Sequence, residues 1–106
     1  MRRSLFALIL LALACSKQDD DEKLQKSIVS WNATLQIVAD ARLRNEVSDG
    51  FALKTIDEAV DDLEGQSSKT TNKQAEQLIG IAVKLHQAIE RDDKSAIANV
   101  RGELVR

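Results

Sequence analysis

The sequence predicts an all-α protein: a small antiparallel bundle of three to four helices behind a cleaved signal peptide and a short acidic tether. Three observations lead there. Proline and tyrosine are absent and only four glycines occur in 106 residues, which favours long helices over a turn-rich β fold. Apolar residues recur at helical spacing in successive segments, and the breaks between segments are short, so neighbouring helices run antiparallel. Cys15 is the only cysteine, so no intramolecular disulfide forms and packing alone holds the fold. Of 106 residues, loss of the first 14 leaves 92, room for one core. A chain of that size buries roughly 60 to 65% of its unfolded surface.

The leader comes first. Arg2 and Arg3 are followed by ten apolar residues from Leu5 to Ala14, the layout of a secretion signal. At ~1.5 Å per residue this apolar run makes about 15 Å of helix, half of a ~30 Å hydrocarbon core, too short for a stable span.

Its end is the specific part. Leu11-Ala12-Leu13-Ala14-Cys15 resembles the lipobox of bacterial lipoproteins, in which the cysteine thiol accepts lipid and a small residue before it, here Ala14, admits the peptidase. Family members usually carry Leu three residues before the cysteine and Ala or Ser two before it, where this chain has Ala12 and Leu13. Ala12-Leu13-Ala14 also fits the small-x-small site of ordinary signal peptidase, which would release a soluble protein with a free thiol at the same cleavage point. The resemblance implies cleavage between Ala14 and Cys15, acylation (palmitate) of Cys15 and attachment to the envelope membrane. Ser16 after the cysteine, rather than Asp, points by the same resemblance to the outer membrane, facing the periplasm.

Residues 15–22 are then the lipidated cysteine and tether. Lys17 to Glu22 is a polar, mostly acidic run that contributes nothing to a core, and at up to ~3.4 Å per residue it would hold the domain as much as about 20 Å from the bilayer. It lacks the glycine turn and carbonyl ligands of a calcium loop.

Residues 23–106 make the bundle. Leu24, Ile28, Trp31, Leu35 and Val38 fall at spacings of four, three, four and three, one stripe of a first helix. Val29, Ala33, Ile37 and Ala41 are expected as a flank widening that stripe, with Leu43 and Val47 extending it. Ser48-Asp49-Gly50 turns the chain into a second helix with Leu53, Ile56, Val60 and Leu63 inward, supported by Ala52 and Ala59, and Gly65 placed to end it. Gln66 to Thr70 reads as loop. Thr71 with Gln74 fits a capping box opening a third helix, whose apolar face is Leu78, Ile79, Ala82, Leu85 and Ile89, widened by Ile81 and Val83. Asp92 or Asp93 caps a short fourth helix with Ala96, Ile97, Val100 and Leu104 inward.

Chemistry is hard to find on this frame. A di-iron bundle needs Glu-x-x-His pairs, and the residue three before His86, the only histidine, is Val83. Covalent haem needs two cysteines before a histidine. A serine triad would need His86 as its base, while Ser67, Ser68 and Ser95 sit in capping contexts. No enzyme activity, metal or cofactor is expected. Removing Arg2 and Arg3 from the 15 basic residues leaves 13 against 17 acidic ones, a net charge of about −4, and the remaining bases are scattered, which argues against nucleic acid.

Asp57, Glu58, Asp61 and Asp62, with Glu64, form the densest acidic patch, readable as a docking surface for a basic partner or as a solvated helix face. Trp31 is a common kind of interface anchor, but its phase with Ile28 and Leu35 assigns it to the core. The expectation is a membrane-anchored, non-enzymatic envelope lipoprotein that docks on another protein, as an assembly, inhibitor or immunity-like factor. The alternative is a module holding a small apolar ligand or lipid in the bundle interior, which predicts a cavity.

Overall fold

In the computed structural model the chain forms four helices and no strand among the described residues, which are 2–70 and 72–106, with side chains from Asp20 onward. They are α1 (Arg2–Leu43), α2 (Asp49–Ser67), α3 (Lys73–Glu90) and α4 (Lys94–Val105). The all-α bundle is as the sequence predicts.

Cross-helix contacts set the directions. Ser27 and Trp31 of α1 meet Gln66 and Asp62 of α2, so these helices are antiparallel, whereas Gln25 meets Gln74 and Arg42 meets Asp92, so α1 and α3 run parallel. α3 touches all three other helices, while α2 and α4 lie on opposite sides and do not meet.

The core is aliphatic. Leu24, Leu35, Ile56, Leu63, Leu85, Ile89 and Ile97 are fully buried, and no polar or charged residue is buried among the described residues. The stripes of α2, α3 and α4 point inward as read, with Leu53, Val60, Ile79, Ile81 and Ala96 half-buried at their margins. Alanines carry more of the core than the pattern suggested: Ala39, Ala75 and Ala88 are buried beside Ala52, Ala59 and Ala82. With a methyl as the whole side chain they let helix backbones approach closely, and alanine's indifference to phase hides this in a sequence.

Several expectations are corrected. The flank on α1 does not join the core: Val29 is 69% and Ile37 68% exposed, because the neighbouring helices cover only the Leu24 to Val38 stripe. Val83 likewise faces outward. Val47 packs on the core from the loop after α1, not from the helix. Trp31 is half-buried at the core's edge and donates Nε1–H to Asp62 Oδ2 at 2.7 Å, so the indole keeps its polar partner outside the apolar interior. The acidic run continues α1 as helix instead of extended chain, since nothing in it breaks a helix, and Asp21 and Glu22 stay exposed.

The helix ends follow local chemistry. Ser48, Asn72 and Asp93 cap α2, α3 and α4, each accepting the backbone N–H three residues on. The third helix thus opens on Asn72, not on the capping box at Thr71, which lies outside the described residues; an Asn side chain serves as well as Thr. Gly65 does not end α2, which runs on to Ser67. There Ser67 and Ser68 donate their hydroxyls to the Glu64 and Gly65 carbonyls, satisfying acceptors that a glycine cap would otherwise serve.

Left-handed residues do end α1 and α3, but neither is glycine: Asn45 has φ 57° and Asp92 φ 51°. At each the paired bonds of a Schellman motif form, Glu46 N–H to Ala41 O with Asn45 N–H to Arg42 O, and Asp93 N–H to Ala88 O with Asp92 N–H to Ile89 O.

Arg42 links these two ends. Its side chain is only 14% exposed and pairs with Asp49 at 2.5 Å and Asp92 at 3.4 Å, while Nη1 reaches Asn45 Oδ1 at 3.1 Å. A lysine cannot present this planar fork. Arg42→Lys is expected to cost about 1 kcal/mol, the acidic partners being exposed enough to discount the pairs, and to lower Tm by roughly 4 to 8 °C. Thermal unfolding followed by circular dichroism checks it; an unchanged Tm would show that the fork adds nothing.

Candidate functional site

The side chains of Ala14 and Cys15 lie outside the described ones, so the anchor is judged on sequence alone. No helix among the described residues is long and apolar enough to cross a membrane.

The acidic patch lies on α2, where apolar residues take the inner positions and leave Asp57, Glu58, Asp61 and Asp62 on the exposed face. Two of the four are engaged within the bundle. Asp62 accepts from Trp31 and from Gln66 Nε2, and Asp57 Oδ1 sits 3.3 Å from His86 Nε2. Glu58 and Asp61 face solvent, so the surface offered to a partner is narrower than the sequence suggested.

His86 sits between two carboxylates, because its other ring nitrogen, Nδ1, lies 2.6 Å from Glu90 Oε1 one turn along α3. Carboxylates only accept, so both contacts are complete when the ring carries both protons. The imidazole thus lies between a carboxylate of α2 and one of α3. The carboxylates flank different ring nitrogens and therefore cannot close on one ion with the imidazole; among the described residues no group of three candidate ligands is placed to hold a metal. Ser67 and Ser68 donate their hydroxyls to α2 carbonyls.

The larger concave feature is a groove that sequence reasoning missed. It is an open space of about 630 Å³ between α1 and α3, closed at one end by α4. Ile28, Leu78, Ile81 and Leu104 form its apolar floor, while Gln25, Asn32, Gln36, Gln74 and Gln77 line its edges. The groove opens outward instead of penetrating the bundle, where the large aliphatic side chains are fully buried. Its only sequence signal was the surplus of apolar residues on the first helix, which was read as a wider core face.

A small cleft near the start of the bundle contains the one buried polar atom without a partner among the described side chains, Gln66 Oε1. Gln66 Nε2 is satisfied by Ser27 Oγ at 2.7 Å, and Lys23, Lys26 and Lys69 rim the cleft. Those ammonium donors, or water entering between them, suit an orphan carbonyl oxygen.

No family model, curated protein or solved structure matches the chain.

Proposed function

We propose that the chain is a bacterial envelope lipoprotein, held by lipid on Cys15 at the outer membrane and facing the periplasm. Its bundle serves as a non-enzymatic interaction domain for another envelope protein, of the assembly, inhibitor or immunity kind. The observation that carries this reading is the division of apolar residues: the core closes while Val29, Ile37, Phe51, Val83 and Val105 stay outside it. Single exposed apolar residues need no explanation, but Val29, Ala33 and Ile37 recur every four residues along one side of α1, and contiguous patches of this kind mark contact surfaces.

Affinity capture of the mature chain from gently solubilised envelopes tests the reading. A defined envelope protein should be recovered with the anchored chain and lost from a Cys15→Ser control that no longer reaches the membrane. Recovery of nothing specific, under conditions that preserve known envelope complexes, would overturn it.

A further inference from the structure

We infer that the groove between α1 and α3, together with the ridge beside it, is a self-association face on which two copies of this chain meet about a two-fold axis. The inference rests on reading the bundle as an interaction domain and names one partner for it.

The groove exists because helix lengths differ. α3 spans Lys73–Glu90 and α4 only Lys94–Val105, so α4, running back antiparallel, ends beside Leu78 and Ile81 and leaves the first turns of α3 and the facing part of α1 uncovered. Along the α1 side of this trough Val29, Ala33 and Ile37, spaced by four residues, form an exposed apolar ridge, whose Val29 and Ala33 also line the groove. A ridge and a groove side by side on one surface are what a two-fold contact uses, because each copy's ridge can enter the other's groove.

The polar rim decides the occupant. In a chain that is 30% charged, the rim on α1 and α3 carries amides alone. Across a two-fold axis a group meets its own kind, so a charged rim repels, whereas a primary amide both donates and accepts and pairs with another amide. The internal bonds Gln25 to Gln74 at 3.3 Å and Gln36 to Asn32 at 2.7 Å use one N–H and one lone pair of each couple. The remaining amide groups are left for a second chain. Glu103 and Arg106, the charged lining residues, stand together at the α4 end with opposite signs. The acidic face of α2 would instead set Glu58 and Asp61 against their own copies.

Size sets the strength. Ile28, Leu78 and Leu104 are already buried and add little area, so the contact is small against the ~1,000 Å² total where specific interfaces begin. Such a dimer is weak in dilute solution and is favoured when anchored copies are confined to one surface.

The test uses the full mature chain in its own membranes. Because Cys15 is the only cysteine and carries lipid in this reading, Ala33→Cys or Ile37→Cys supplies the single free thiol, with the parent chain as control. A short bis-maleimide is expected to yield a dimer of this chain from both variants and little from Glu58→Cys on the opposite surface. Ala33→Glu places two carboxylates across the axis and should weaken the dimer at least about tenfold in sedimentation equilibrium of the detergent-solubilised chain. Tm should be unchanged because the site is exposed, and mixing Ala33→Glu with Ala33→Lys chains should restore pairing. Equal adducts from Ala33→Cys and Glu58→Cys, or a dimer indifferent to Ala33→Glu, overturn the inference. Adducts to a different protein overturn it and leave the proposed function standing. No adduct of any kind counts against both, and a dimer of the parent chain would expose an unlipidated thiol.

Discussion

Cys15→Ser is expected to abolish incorporation of labelled fatty acid and to move the protein from the membrane pellet to the soluble fraction of the envelope. The size of the effect follows from the anchor. One acyl chain gives only marginal, reversible binding, of order 10⁴ M⁻¹, and a second makes attachment lasting, so removing both should shift partition on the order of a thousandfold or more. The bundle compensates little, since acids outnumber bases in the mature chain and attraction to anionic lipid is weak. The fold should be indifferent, as the core begins at Leu24, so equal Tm values for the variant and the parent would isolate the loss to the anchor. Intact mass of the mature parent chain completes the test. Cleavage before an unmodified Cys15 would show the ordinary peptidase site Ala12-Leu13-Ala14 in use and would sink the lipoprotein reading.

Leu85→Ala is expected to be the most damaging single truncation within the bundle, at about 3 to 4 kcal/mol. Leu85 is fully buried on α3, the one helix besides α1 that touches every other, so the lost volume has walls on several sides and little freedom to collapse. Against a total stability of roughly 5 to 10 kcal/mol for a small domain, that is a third or more of the whole. Tm should fall by about 12 to 30 °C. Urea denaturation gives the free energy directly, and Val83→Ala, two residues earlier on the outer face of the same helix, should stay within about 0.5 kcal/mol of the parent. Equal losses at the two positions would mean that α3 is turned differently from the orientation described.

The readings that succeeded were local ones. Ser48 was legible within the Ser48-Asp49-Gly50 turn, and Asp93 as one of the two candidates Asp92 and Asp93, because a short side-chain oxygen can reach the orphan N–H groups of the turn that follows, whatever packs on that helix later. The inner stripes of α2, α3 and α4 were legible because charged residues such as Asp57, Glu58 and Asp61 leave only one face free to be buried. Gly65 failed as a stop signal because serine hydroxyls supplied what a left-handed glycine would have, and Asn45 and Asp92 took that left-handed role elsewhere. The candidate acidic site was legible as a patch, but not as four equal carboxylates: Asp57 and Asp62 are claimed by His86 and Trp31, which are distant in sequence.

By itself the sequence determined that the chain is helical, where α2, α3 and α4 lie to within a few residues, and that Cys15 is the place to look for an anchor, since periodicity, capping and the leader pattern are properties of neighbouring residues. Only the tertiary structure decided how much of each apolar face is covered. A stripe of period 3.6 says which side of α1 prefers to be buried, but its covered width depends on the reach of the helices opposite, and these leave Val29 and Ile37 outside. Apolar residues counted toward the core in the sequence therefore became the surface on which the proposed function and the self-association face depend.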